Sequence, residues 1–318
     1  MKDKAENAME PLIVITGPTA TGKSEVSVLV AEHVGGEIIS ADSMLLYRHM
    51  DIGTAKPTLV ERRGIPHHMI DIAEPDQEYS AARYQKEARH LITEILLRRN
   101  LPILVGGTGL YIKAVIDPYE FGATSSAPAL RERLLIEAEQ DGYDKLHRSL
   151  AEVDPEAAAK LHPRDTRRVI RALEVYYLTG RPASSYMKRN QYHLPLYRLF
   201  MFGLNMDRAS LYRRIEQRVD AMIAAGLVEE VRRLLETGYS KELNAMRSLG
   251  YKEIAAYLTG EISLEQAVEL LKRNTRRFAK RQLTWFRRDG RIRWLDIDEF
   301  GSLKAVAKEI TKSLEGVF

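Results

Sequence analysis

Apolar, β-branched residues run without interruption from Leu12 to Ile15 and stop at Thr16-Gly17, the pattern of a short strand buried on both faces. A helical stretch follows from Glu25 to His33 and is stopped by Gly35-Gly36. Glu37 to Asp42 reads as a second strand, Pro66 to Asp71 leads into a third, Leu101 to Val105 forms another, and Leu199 to Leu204 another again. Between them Ala81, Tyr84, Ala88, Leu91 and Ile95 recur at helical spacing within Ser80 to Arg99, and Asn100 ends that element. Strands alternating with helices predict an α/β fold built on a parallel sheet.

The pattern changes from Asp117 to Leu196, where helices over Ala129 to Glu139, Tyr143 to Leu150, Pro155 to Leu161 and Asp165 to Thr179 are separated by turn residues. Because strand character resumes only at Leu199, residues 117–196 are expected to be a helical domain inserted into a core formed by 11–116 and 197–318. The next helix is capped by Asp207, carries Leu211, Ile215, Val219 and Met222 as its apolar stripe, and is predicted to run past Gly226. A last long helix spans Ser263 to Arg288, with Phe278, Leu283 and Trp285 assigned to packing.

Composition narrows the class. In 318 residues, 45% are hydrophobic, enough for a sizeable core. No apolar run reaches the length of a membrane span and Met1 to Glu10 is polar, so the expected setting is the cytoplasm, with no membrane partner. The absence of cysteine excludes disulfides, thiolate metal sites and a cysteine nucleophile. The net charge of +4 is small but unevenly spread: from Lys272 to Arg293 Asp289 is the only acid among many bases, which points to a polyanionic partner.

Candidate chemistry gathers at the strand ends. Gly17-Pro18-Thr19-Ala20-Thr21-Gly22-Lys23-Ser24 joins the first strand to a helix with the spacing of a phosphate-binding loop: glycines let backbone N–H groups converge on phosphate oxygens, the helix end adds partial positive charge, and Lys23 adds a full one. Ser24 is the candidate ligand for a Mg²⁺ shared with the phosphates. Asp42 ends the second strand on the same rim and is the first candidate for a base; a helix cap or a second-shell partner to Mg²⁺ is the alternative role. The strand at Leu101 to Val105 ends in Gly106-Gly107-Thr108-Gly109 without the acid that ATP-hydrolysing P-loop proteins carry there. His67 and His68, adjacent on a strand, point to opposite faces and are read as structural. Arg214 and Arg218 share a helix face; if it faces the loop rim a guanidinium can reach a phosphate, and salt bridges with Glu216 or Asp220 are the alternative. Arg167, Arg168 and Arg171 form a basic group on the inserted domain, and Lys280 and Arg281 belong to the cationic track of the last helix.

Taken together, Gly17 to Ser24, Ser40-Ala41-Asp42-Ser43, Met50 to Pro57, Gly106 to Tyr111, Arg167 to Glu174, Arg214 to Arg218, Gly250 to Glu253 and Ala279 to Trp285 resemble the tRNA dimethylallyltransferases, in the family's order along nearly the whole chain. The resemblance implies a P-loop kinase-like parallel sheet flanked by helices, an inserted all-helical domain that grips the anticodon stem-loop of tRNA, and a monomer. It implies transfer of a dimethylallyl group from dimethylallyl diphosphate to N6 of the adenosine 3′ of the anticodon (position 37), giving N6-isopentenyladenosine and diphosphate. In that reading Asp42 takes the N6 proton, and Thr19, Lys23, Ser24 and one of Arg214 and Arg218, preferably Arg218, hold the diphosphate. Asp42, Ser43, Met44, Leu45, Thr108 and Arg131 match positions that contact tRNA. Leu45 departs from the family, where glutamine is common, so a side-chain hydrogen bond to the adenine is not expected. The zinc-finger segment that eukaryotic relatives append is not expected either, with no cysteine and little chain beyond Trp294. Rival readings are a small-molecule kinase, an isopentenyltransferase for free adenine nucleotides, and an RNA-binding module switched by nucleotide.

Overall fold

The computed structural model describes residues 9–121, 127–189 and 196–316; the polar start of the chain, Met1 to Ala8, lies outside them. Its frame is a six-stranded sheet, parallel throughout, in the order β3-β2-β4-β1-β5-β6, with β1 Pro11–Thr16, β2 Gly36–Ser40, β3 His67–His68, β4 Leu101–Gly106, β5 Arg198–Asn205 and β6 Arg293–Asp296. Alternate residues of β1 feed opposite cores. Ile13 and Ile15 pack under α1 (Lys23–Val34) and α15 (Leu303–Leu314), whereas Leu12 and Val14 pack under α3 (Ala81–Leu97) and α4 (Gly109–Ile116). This two-sided burial is why the strand reads as a continuous apolar block. The expected α/β sheet is therefore present, with its central strand delivering the glycine-rich loop.

Contact density divides the chain into two compact units, Met1–Ile116 with Leu196–Phe318, and Asp117–Pro195. The second is helical among its described residues: α5 Pro128–Asp141, α6 Tyr143–Val153, α7 Pro155–Lys160, α8 Thr166–Thr179 and α9 Ala183–Arg189, around a core of Leu134, Leu150, Val169 and Leu173. Asp154 fixes two of its helix starts, accepting from the N–H of Ala157 at 3.0 Å and of Ser184 at 2.8 Å.

Four sequence readings are corrected. The third strand is only His67–His68, after which Met69 and Asp71 adopt left-handed backbone that leaves the sheet. Gly36 does not help to stop α1; Gly35 alone does so, in the left-handed conformation, and Gly36 begins β2. The helix from Asp207 does not run past Gly226: α10 ends at Ala224, Gly226 has φ of +99°, and α11 (Leu227–Glu236) begins anew, because only glycine enters that backbone region without strain. Trp285 does pack, its ring lying on Gly109, where a Cβ would stand 2.1 Å from Nε1, but it is 43% exposed and so not in the core. The edge strand β6 and the helices α2 (Leu59–Arg62), α12 (Tyr251–Leu258), α14 (Ile297–Phe300) and α15 are additions that the patterns did not signal. No described helix is long and apolar enough to cross a membrane.

His67 and His68 are structural. His67 Nδ1 pairs with Ile65 O at 2.8 Å and His68 Nε2 with Glu37 at 2.6 Å. Glu37 also receives a fork from Arg98 at 3.0 and 2.8 Å and the amide of Asn100 at 2.8 Å, which hold its carboxyl down to about 2 despite burial. This clamp joins β2 to the end of α3.

Candidate active site

The chain leaves β1 to one side for β2, β3 and β4 and to the other for β5 and β6, so the carboxyl ends around β1 form the crevice where open α/β sheets bind ligands. The loop from Gly17 to Gly22 crosses this crevice. Gly17 has φ of +134°, and a Cβ there would stand 2.4 Å from Leu204 O, so the loop's first residue is glycine because β5 is too close for anything else. Ala20 and Gly22 are also left-handed, which turns successive peptide units through the loop. Pro18 O gathers the loop's interior, accepting from Thr21 Oγ1 at 2.9 Å and Lys23 Nζ at 2.7 Å.

Lys23 is held down to about 7, first by desolvation and then by the neighbouring guanidinium of Arg218, against the opposing pull of Asp42. Arg218, partly buried on α10 (Arg208–Ala224), is itself lowered by desolvation and supported by Asp42. It makes no ion pair among the described residues, whereas Arg214, one turn earlier, is exposed. Two cations and one carboxylate thus share one electrostatic neighbourhood, with positive charge in excess. The hydroxyls of Thr19 and Ser24 make no hydrogen bond among the described residues; Thr19 is partly buried and Ser24 exposed.

β2 ends at Ser40, two residues before the expected end of the strand, and Asp42 follows after Ala41. Its Oδ1 caps the next turn by accepting from Met44 N–H at 2.9 Å, leaving Oδ2 without a hydrogen bond among the described residues. The alternative role is thus a turn cap and not the expected helix cap, and it is compatible with a base, one oxygen for each. Ser43 N–H donates to Thr108 Oγ1 at 3.2 Å and Thr108 N–H to Ala41 O at 3.1 Å, so the Gly106–Gly109 turn braces the Asp42 segment. Below it Tyr84 and Tyr111 stack at 3.9 Å, and the Tyr84 hydroxyl donates to Ser40 O at 2.8 Å. Ser43, Met44 and Leu45 are all partly buried in the turns that follow.

The remaining candidates divide by partner. Glu174, buried in α8, accepts from Arg131 at 2.8 and 3.1 Å, Arg171 at 2.5 Å and the Ala127 N–H at 3.0 Å, so those two arginines are tied to the helical unit itself. Arg167 and Arg168 are exposed, Arg168 beside Asp165 at 3.4 Å. On α13 (Leu264–Phe286), Arg276 pairs with Glu216 at 2.7 Å and Lys272 with Asp220 at 2.7 Å. Arg273, Arg277, Lys280 and Arg281 are exposed at helical spacing on that helix, and Arg287 and Arg288 continue the exposed run beyond it.

Two polar residues near the loops went unread in the sequence. Glu230 on α11 is buried and accepts from the N–H groups of Asp51, Ile52 and Gly53 at 3.0, 2.8 and 3.1 Å, and from the Tyr251 hydroxyl at 2.6 Å, holding the loop that follows the Asp42 segment. Gln282 is buried on α13, where its Oε1 accepts from Thr19 N–H at 2.9 Å and its Nε2 donates to Gly107 O at 3.0 Å. The one signal for Gln282 was its place on the stripe of Leu271, Ala279 and Phe286, where a polar residue is out of pattern.

Comparison with known proteins agrees with this layout. A family model described as IPP transferase matches residues 45–289. The tRNA dimethylallyltransferase of Pelotomaculum thermopropionicum is 63% identical over 313 residues, covering 98% of this chain and 99% of that protein. That of Desulforudis audaxviator is 60% identical over 305 residues, covering 96% and 98%. Among solved structures, a tRNA delta(2)-isopentenylpyrophosphate transferase from Staphylococcus epidermidis superposes with a TM-score of 0.72 at 43% identity, over 97% of this chain and 100% of that one. A eukaryotic dimethylallyltransferase acting on tRNA gives 0.82 at 31% identity, over 97% and 79%.

Proposed function

The chain belongs to the IPP transferase family, and on that premise we propose that it moves a dimethylallyl group from dimethylallyl diphosphate to N6 of the adenosine 3′ of the anticodon in tRNA, releasing diphosphate. The observation that carries the site assignment is the joint placement of Lys23, Arg218 and Asp42: a pair of desolvated cations for a leaving group, with a carboxylate whose second oxygen is uncommitted. As the allylic C–O bond breaks, negative charge grows on the diphosphate. Fixed cations and loop N–H groups therefore stabilise the transition state more than the bound substrate. The N6 lone pair forms the new C–N bond, and the proton that N6 then sheds passes to Asp42. An exocyclic adenine amine is so weakly basic that Asp42 acts once bonding is under way.

The residues present fit a Mg²⁺ carried by the diphosphate. Ser24 lies in the first turn of α1 with a hydroxyl that makes no hydrogen bond among the described residues, and such a cation draws most of its ligands from phosphate and water rather than a protein cage. When bound, it would neutralise charge on the diphosphate oxygens. The acceptor is met by Ser43, Met44, Leu45 and Thr108 beside Asp42, its phosphates by the exposed Arg167, Arg168, Lys280 and Arg281, and extrusion of the target base brings N6 to the allylic carbon. Arg131 and Arg171 serve through Glu174, by holding the helical unit together. We place the reaction in the cytoplasm and propose a monomer, since Lys23, Arg218 and Asp42 all come from one chain.

The test is incubation with radiolabelled dimethylallyl diphosphate, Mg²⁺ and unmodified tRNA, alongside Asp42→Ala. Label should enter wild-type reactions at the anticodon-adjacent adenosine and fall by roughly a hundredfold or more in the variant. Label on free AMP, or turnover of ATP with no label in RNA, would replace this reading with a nucleotide transferase or a kinase.

A further inference from the structure

Gln282 connects the two halves of the site. Both ends of its amide are in use: Oε1 takes the N–H of Thr19 in the phosphate-binding loop, and Nε2 gives to Gly107 O in the turn beside Asp42. The turn is shaped around it, since a Cβ on Gly107 would lie 2.1 Å from Nε2. From Gly107 the connection continues through Thr108, whose hydroxyl accepts from Ser43 N–H, the neighbour of Asp42. One buried side chain on α13 therefore spans the loop assigned to the leaving group and the turn that braces the base. An aliphatic residue of the same length would fit the apolar stripe of that helix, so burial alone does not call for an amide.

We propose that Gln282 is a positioning residue: it sets the spacing between the diphosphate held at Thr19 and the acceptor nitrogen held near Asp42. This rests on the activity proposed above. Transfer between two bound substrates needs the allylic carbon and N6 within van der Waals approach and aligned, and a misplacement of about 1 Å costs roughly a hundredfold in rate. Gln282 hydrogen-bonds to the backbone of Thr19 and Gly107 and to none of the exposed cations assigned to RNA phosphates, so its loss acts on the rate of transfer and on the diphosphate loop, while the phosphate contacts that dominate tRNA capture stay. Committing the Thr19 N–H also fixes the orientation of that residue, whose hydroxyl stays free for the ligand.

The experiment compares wild type with Gln282→Met, which keeps length and removes both hydrogen bonds. Expected are a kcat roughly thirty- to a hundredfold lower, a KM for tRNA within about twofold of wild type, and inorganic diphosphate bound several-fold more weakly by calorimetry. A kcat within about threefold of wild type, or a kcat and tRNA KM that change together, overturns the proposal. Should the Met variant not fold by circular dichroism, Gln282→Glu carries the same test: with the same shape, it keeps the acceptor for Thr19, loses the donor to Gly107, and the same split between kcat and tRNA KM is expected. The diphosphate titration needs no acceptor. If wild type transfers no label, weaker diphosphate binding by the variant still upholds the hold on the loop, and the proposed activity alone fails; unchanged binding sinks the role of Gln282.

Discussion

Arg214 and Arg218 stand one helical turn apart on α10 and meet opposite surroundings. Arg218 is partly buried beside Lys23 and Asp42, has no ion pair among the described residues, and carries a charge that desolvation disfavours. Arg214 is exposed, where a charge is solvated and exerts little force on a site. A partly desolvated guanidinium makes physical sense when an anion completes it, and two such cations beside one carboxylate leave an anion's worth of charge unmatched. Arg218→Ala should therefore lower kcat/KM for dimethylallyl diphosphate by about a hundred- to a thousandfold, as loss of a fixed donor to a developing oxyanion does. Arg214→Ala should stay within about threefold. Steady-state label transfer at varied donor concentration reads both, and equal losses would remove the distinction between them.

Elements are held in place by buried carboxylates that no local pattern announces. Glu230 reaches a loop 177 positions away in sequence and satisfies three backbone N–H groups and the Tyr251 hydroxyl, while Gly53 lets that ring lie against the loop, since a Cβ there would meet it at 2.5 Å. Glu230→Ala leaves those donors buried and unpaired, which should cost about 3 kcal/mol or more in urea denaturation, against roughly 1 kcal/mol for Tyr251→Phe. A loss under about 1 kcal/mol for Glu230→Ala would show that water satisfies the loop equally well. The same contrast explains what was readable in the chain. β1, the glycine-rich loop and Asp42 were legible because a two-sided apolar strand, a glycine that must yield to Leu204 O and an acid at a strand end are local facts. The break at Gly226 was hidden because apolar residues continue at near-helical spacing on both sides of it, from Ile223 to Leu227. β6 escaped because a four-residue edge strand gives too few alternations to stand out. Glu230, Glu174 and Gln282 depend on partners distant in sequence, and a hydrogen bond across such a span leaves no period to read.

Across the whole molecule, charge separates into cations already matched and cations left open. Arg276 is matched by Glu216 and Lys272 by Asp220, so these charges do little at a distance, whereas Arg131 and Arg171 share the single carboxylate of Glu174, with Arg131 holding both of its oxygens. Arg277, Lys280 and Arg281 on α13, and Arg167 on α8, are exposed. Counterion release counts only cations that actually approach phosphates, so the salt dependence of RNA binding measures the open set and ignores the matched one. For an anticodon stem-loop RNA, the logarithm of the binding constant should fall linearly with that of salt. Replacing Lys280 and Arg281 together by glutamine should reduce that slope by about 1 to 2, and weaken binding most at low salt. Arg131→Gln should leave the slope nearly unchanged. It exposes its effect as a lower melting temperature instead, because it strips a buried Glu174 of the one guanidinium that holds both of its oxygens. Filter binding over a salt series, paired with thermal melts, separates the two classes. A slope that responds to Arg131 and not to Lys280 and Arg281 would move the RNA track away from α13 and onto the helical unit.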